Sequence, residues 1–389
     1  MKFIIKLSLT MLFLFTLLLI TNTTSAKEDY LGENSIFEQV GDIGEKRANK
    51  LELTTPVNQS IKLENETILF TESLYDGSSI RLAYIIETTR KKGQSFSNRL
   101  VDDVIFTKNG EPLMVSGMSA SGDFIDDGVY AEIIDISFHE PIPTSFMLGI
   151  QSSKDKSIDI NIPIELKGES KTFPINQSKE WNGKPFSFQE ITFYPTITEI
   201  RTETLVDERD KHLNIGLKVT DENGYLLQPL KGSSTGEPIV NGKIKIVSRY
   251  YFEPFETIPD SLHLNPYERQ FNTYKPHTVR KQWKGKSFTL SQGEAGTLTI
   301  QNVSVNDNLL TVTYEVSGEQ NFQQAATLWV ENRAGDHLPE NFPPKQLSKG
   351  TFQLTFTIKD KIEEYFIGTA ELTPLDYVEE LETIIQLSD

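Results

Sequence analysis

The sequence predicts an all-β protein: three tandem immunoglobulin-like β-sandwich modules behind an N-terminal signal or anchor helix and one short helix. Three observations carry that expectation. From Leu51 onward apolar and polar residues alternate, as in Ser79-Ile-Arg-Leu-Ala-Tyr-Ile-Ile, Ile158-Asp-Ile-Asn-Ile-Pro-Ile-Glu-Leu and Leu309-Leu-Thr-Val-Thr-Tyr-Glu-Val, the period of half-buried strands. Turn dipeptides separate the runs at Asp76-Gly77, Asn109-Gly110, Asp127-Gly128, Asn223-Gly224 and Asn241-Gly242, supplying the positive φ angles of type I′ hairpins. Segments also repeat. Trp181-Asn-Gly-Lys-Pro-Phe186 returns as Trp283-Lys-Gly-Lys-Ser-Phe288, and the stretch from Phe138 to Leu148 is echoed from Phe252 to Leu264. The Trp motifs start about 100 residues apart, the size of one sandwich.

Along the chain, Lys2 and Lys6 precede an apolar run from Leu7 to Ile20, and Thr24-Ser25-Ala26 places small residues before Lys27. That is the layout of a secretory signal over residues 1–26. Uncleaved, the same segment is an N-terminal membrane anchor. The positive-inside rule puts everything after Lys27 outside the cytoplasm in either case. Residues 27–50 form a linker with a short helix, since Ile36, Phe37, Val40 and Ile43 recur at helical spacing behind Asn34 or Ser35,. The modules are expected at 51–170, 171–280 and 281–389. The Trp-x-Gly-Lys-x-Phe element is read as structural: its Gly turns the chain, Trp and Phe cover a seam between modules, and Lys stays in water. Leu381, Thr383, Ile385 and Leu387 alternate with polar residues, giving a closing strand at the C-terminus.

Composition narrows the function. There is no cysteine, so thiolate nucleophiles, Cys-ligated metals and redox chemistry are excluded together, and the cores rest on apolar packing. The formal charge is −17 and becomes two units more negative if Lys2 and Lys6 leave with the signal. A chain this acidic is repelled by nucleic acid and by anionic lipid or wall polymer. The expected partner is an extracytoplasmic protein or a neutral glycan, not a nucleic acid. The N-terminal segment contacts the membrane at least before processing.

No catalytic residue emerges. The five histidines, His139, His212, His263, His277 and His337, lack the short spacings of zinc sites. Gly117-Met-Ser119-Ala-Ser121-Gly122 lacks the last glycine of a nucleophile elbow and reads as a flexible loop. Ser153-Lys-Asp-Lys156 lies in a hydrophilic turn rather than opening a buried helix. No phosphate-cradling glycine motif occurs. Asp123, Asp126 and Asp127 form the single metal candidate: closely spaced carboxylates in a Gly-terminated loop offer the hard oxygens that Ca²⁺ takes, although Asp is also a common turn residue. No other cofactor is expected.

Ile36-Phe-Glu-Gln-Val-Gly-Asp-Ile-Gly, Val57-Asn-Gln-Ser-Ile and Leu74-Tyr-Asp-Gly-Ser-Ser-Ile-Arg-Leu-Ala-Tyr-Ile resemble the domain-of-unknown-function family 4179 of Gram-positive bacteria. Phe186-Ser-Phe-Gln-Glu-Ile-Thr-Phe-Tyr-Pro-Thr-Ile-Thr-Glu-Ile resembles family 5643, which commonly follows it. The resemblance implies the extracytoplasmic part of an anti-sigma-like or envelope-stress protein and carries no catalytic residues. Family members bear a cytoplasmic segment ahead of the membrane helix; here Met1 to Lys6 stand in that place, so an anti-sigma role by this chain alone is not expected. The expected role is non-catalytic binding or sensing through loops such as Val115 to Gly128. A passive envelope stalk is the alternative, and a hydrolase a remote one.

Overall fold

The computed structural model describes residues 35–63, 66–90, 104–138, 142–153, 158–208, 215–239, 242–269, 276–306, 308–318, 321–338, 340–358 and 364–387. The expected signal or anchor segment lies outside them, and among the described residues no helix is long and apolar enough to cross a membrane. The fold is all-β, with six sheets and a few short helices among the described residues. The chain forms two compact units: residues 1–171 with Phe193–Ile197, and residues 172–192 with 198–389.

Among the described residues the first unit opens with two helices where one was expected, because Gly41 breaks the run. Helix α1 (Ile36–Val40) is capped by the Ser35 hydroxyl, which accepts from Phe37 N at 3.1 Å. Helix α2 (Ile43–Lys50) starts with a capping box: Asp42 Oδ1 accepts from Glu45 N at 2.9 Å, and Glu45 Oε2 from Asp42 N at 2.7 Å,. Strands β1 (Thr54–Lys62), β2 (Thr67–Tyr75) and β3 (Ile80–Glu87) follow, then β4 (Val104–Lys108), β5 (Glu111–Pro112), β6 (Val115–Asp126), β7 (Val129–Phe138), β8 (Ser145–Ser152) and β9 (Asp159–Glu165). They form a five-stranded sheet ordered β1-β2-β3-β7-β6 and a four-stranded sheet ordered β5-β4-β8-β9.

The larger sheet is covered on both faces, which explains why β3 is apolar almost throughout. Ile80, Leu82, Tyr84 and Ile86 face the sandwich core with Phe106, Leu148 and Ile162 of the smaller sheet. The alternate residues Ala83 and Ile85 pack with Ile36, Phe37 and Ala48 of the helices. Successive strand side chains point to opposite faces, and each face here meets a different partner.

The second unit contains β10 (Lys171–Trp181), β11 (Lys184–Phe193), β12 (Thr198–Asp207), β13 (Ile215–Asp221), β14 (Pro229–Pro238), β15 (Lys243–Phe252), β16 (Ser261–Glu268), β17 (Thr278–Gln282), β18 (Phe288–Ser291), β19 (Thr297–Asn306) and β20 (Leu309–Ser317). Helix α3 (Asn321–Ala325) precedes β21 (Trp329–Glu331), β22 (Glu340–Ser348), β23 (Thr351–Thr357), β24 (Phe366–Ala370), β25 (Asp376–Tyr377) and β26 (Thr383–Gln386). Its five-stranded sheets run β10-β11-β12-β15-β14 and β18-β19-β20-β23-β22.

All three large sheets therefore follow one plan. Three strands meander, the chain crosses to a smaller sheet, and a hairpin returns with its second strand beside the third of the meander. In the smaller sheets the crossing strand pairs with the strand after that hairpin: β4 with β8, β13 with β16, β21 with β24. The next strand outward keeps the sequence order in the first copy and breaks it in the other two. In the first copy it is β9, adjacent in the chain. On β16 it is β25 and β26 from the C-terminus, and on β24 it is β17. The second and third copies thus exchange a strand. The expected boundary between residues 280 and 281 falls inside β17, and the expected closing strand is β26, paired to β16. The two Trp motifs occupy different places: Asn182 and Gly183 turn between β10 and β11, whereas Trp283 to Phe288 joins β17 to β18.

Candidate functional site

The segment from Val115 to Gly128, expected as a loop, is edge strand β6 and the turn into β7. Serines and glycines gave it a loop-like composition, but pairing with β7 holds it extended. Asp123 lies near the end of β6; Asp126 closes it and Asp127 leads into Gly128 at φ +78°. All three carboxylates are exposed. Asp123 Oδ1 accepts from Phe124 N and Asp126 Oδ1 from Asp127 N, each at 2.7 Å, so two of them already bond the adjacent backbone. Among the described residues no group of three or more His, Asp or Glu is arranged to hold a metal ion. The Gly117 to Gly122 stretch is strand, exposed except at Met118, which packs against the sandwich core, and is not a strand-to-helix turn.

His139, His212 and Lys154 to Lys156 lie outside the described residues. His263 Nε2 meets Glu382 Oε1 at 2.5 Å, which ties β16 to the C-terminal segment. His277 Nδ1 lies 3.4 Å from Glu371. The His337 ring stacks on Trp329 with centroids 5.7 Å apart, near Glu331, which pairs with Arg280. These are separate pairs, and no two histidines share a site among the described residues.

The principal cluster of ionisable groups in the first unit is one the sequence reading missed. Arg81 sits in β3 at 1% exposure, on the face toward the helices. Its Nε donates to Asp135 Oδ2 on β7 at 3.0 Å, and its Nη1 to Thr196 Oγ1 at 2.8 Å. Thr196 in turn donates to Asp76 Oδ2 through both its hydroxyl and its backbone N–H. Glu45 of α2 lies 3.9 Å from Arg81 Nε, and Ser79 Oγ donates to Asp135 Oδ2 at 3.2 Å. One guanidinium thus binds two sheet strands, helix α2 and the segment 193–197. Gly44 permits the closest approach: a Cβ there would stand 2.1 Å from the Thr196 carbonyl oxygen.

Electrostatics keep this cluster charged at its centre and protonatable at its margin. Burial opposes the charge on Arg81, yet the summed attraction of Asp135, Asp76, Glu45 and Asp42 raises its pKa above the ordinary value. Burial, followed by repulsion from Asp42, pushes the Glu45 carboxyl up to about 7. Asp76, Ser79, Arg81 and Thr196 are each at most 2% exposed, so the cluster meets no substrate in this conformation. Its chemistry is cohesion: paired buried charges whose loss leaves an uncompensated partner.

Residues 170–291 match a family of unknown function, DUF5643, from the first strand of the second copy through β18. No curated protein matches the chain. Among solved structures, the crystal structure of the conserved domain protein from Bacillus anthracis is similar at 15% identity over 64% of this chain and 85% of that one, with a TM-score of 0.39. At that score the likeness carries no argument about function.

Proposed function

We propose that this chain is a non-catalytic binding or sensing protein of a bacterial cell envelope, displayed outside the cytoplasmic membrane and connected with anti-sigma-type envelope-stress signalling. The apolar run from Leu7 to Ile20 and the small residues before Lys27 support the address,. The resemblance of the segments between Ile36 and Ile85 to family 4179, followed by the DUF5643 match, supports the connection with signalling. The order β2-β3-β7-β6 in the large sheet of the first copy and β4-β8-β9 in the small one supports an immunoglobulin-like reading, in which these strands stand as A-B-E-D and C-F-G with β1 and β5 added. Such scaffolds bind through the tips and edges of their sheets.

The observation that carries the reading is the largely exposed edge strand β6 of the first copy, the longest of the described strands. The partner class it serves is an extracytoplasmic protein or a neutral glycan, since the acidic surface disfavours anionic polymers,. A thermal-shift panel with wall fragments, neutral glycans, Ca²⁺ and extracellular protein fractions tests it. A ligand at 100 times its Kd adds about 2.7 kcal/mol of apparent stability. The expected result is a shift with one of these that substitutions in β6 abolish. No shift with any of them would favour a passive envelope stalk, the second reading, which the strand exchange between the second and third copies supports by stiffening their junction.

A further inference from the structure

The edge strand β6 supports an inference about its occupant, which rests on the binding reading above. In the common plan of the three large sheets, β6, β14 and β22 hold the same outermost place. Two of them carry features that discourage pairing. β14 begins and ends on Pro229 and Pro238 and contains Lys231; β22 contains Pro344 and Lys345. Proline removes a ladder donor, and lysine on an edge opposes an incoming strand. From Val115 to Asp126, β6 has neither. Its ladder to β7 is regular from Gly117 to Phe124, with a bulge beyond each end. Ser119, Ala120, Ser121, Gly122 and Asp123 are all exposed, and among the described residues no strand pairs with the outer edge.

We propose that β6 pairs antiparallel with β6 of a second copy of this chain, about a two-fold axis at Ala120, so that two five-stranded sheets become one. This register sets Ser119 opposite Ser121, Met118 opposite Gly122 and Gly117 opposite Asp123. Hydroxyls face hydroxyls, and a long side chain lies over a glycine. Charge selects the direction. Asp123, Asp126 and Asp127 crowd one end of the hairpin, so parallel alignment or an axis near the turn would stack carboxylates, which destabilises a ladder. The antiparallel register about Ala120 carries the two acidic ends apart. A second copy fits better than an unrelated strand because the complementarity is written in β6 itself. Both copies are strongly acidic, so their long-range repulsion is screened by salt.

Sedimentation of the purified chain over a concentration series at low and high salt tests this. The expected result is a monomer–dimer equilibrium that salt strengthens. Ser119→Lys with Ser121→Lys puts like charges opposite each other in both symmetric pairs and weakens the dimer about tenfold. Ser119→Glu with Ser121→Glu does the same, and mixing the two variants restores association as a heterodimer. Unchanged circular dichroism and melting temperature show that both variants fold. A wild-type chain that stays monomeric, a dimer indifferent to the substitutions, or a mixture that does not associate would overturn the proposal. A monomer that captures an extended peptide through β6 would overturn self-pairing and leave the binding reading standing. Failure of both copy and ligand to engage would sink the two together.

Discussion

Leu262 of β16 stands opposite Ile385 of β26 in an antiparallel ladder, both buried, although the whole third copy lies between them in the sequence. The pair marks where the C-terminus returns to the second sandwich copy after the third is complete. Removing residues 376–389 therefore opens the β16 edge and deletes buried Leu381, Ile385 and Leu387, about 5 kcal/mol of apolar burial. The loss should fall on the second copy. Trp181, Trp283 and Trp329 all lie in the second unit, so urea unfolding followed by Trp fluorescence reports it. A synthetic peptide spanning 374–389 should restore the midpoint in trans. A truncated chain as stable as the full one would show that the exchange contributes nothing.

Truncating Arg81 to Ala should cost about 3–5 kcal/mol, the range for a buried pair that loses one partner. Asp76 would stay buried, and Asp135 partly buried, without their counter-charge. The first unit has no tryptophan, so its transition appears in far-UV circular dichroism and Tyr fluorescence. The expected signature is a separate, earlier transition by those probes, with the Trp-reported one unmoved. A loss below about 1 kcal/mol would demote the cluster to a surface-type interaction.

Glu45 gives the first unit a pH dependence of known sign. Its carboxyl is pushed up to about 7, by burial first and Asp42 second, whereas an unfolded Glu titrates near 4.3. The folded state holds the proton more tightly, so this group's contribution is present at low pH. It is lost as pH rises from about 4.5 toward 7 and is constant above, roughly 3 kcal/mol at most. Glu45→Gln keeps the capping box and removes the titration. The variant's melting temperature should fall less than the wild type's across that window. Parallel curves would assign the proton elsewhere.

Gly44→Ala sets helix propensity against packing. Alanine favours a helix over glycine by about 1 kcal/mol, but its Cβ would meet the Thr196 carbonyl oxygen at 2.1 Å. The expected outcome is net destabilisation of the first unit by calorimetry. A stabilised variant would mean that α2 moves freely away from residues 193–197.

Local features of this fold were legible because their causes are local. Gly77, Gly110, Gly128 and Gly224 all turn with positive φ, but of these four pairs only Asn109-Gly110 has both residues there, as the expected type I′ turn requires,. The strands at Asp159 and Leu309 follow their alternating runs, whereas the strand at Ile80, expected half-buried, is covered on both faces. Other local signals were present and unread: Asp42-x-x-Glu45 is a capping-box pattern, and Asn58-Gln-Ser and Asn176-Gln-Ser mark equivalent first strands, each with its Asn at positive φ. An arginine inside the apolar strand from Ile80 to Ile86 was a visible anomaly, but partners as distant as Glu45 and Thr196 have no sequence code. The strand exchange was hidden for the same reason. β26 alternates like any edge strand, and nothing in its residues says that β16 rather than β24 receives it. Composition misled at β6, where small polar residues form an edge strand because β7 supplies the ladder.

Every role assigned to this chain requires that its sandwiches stand outside the cytoplasmic membrane. Protease treatment of intact protoplasts of the producing cell measures that directly, with immunodetection of the second unit. Degradation of the chain while a cytosolic marker survives is the predicted result. A chain protected until the membrane is broken would contradict the address and the envelope function together.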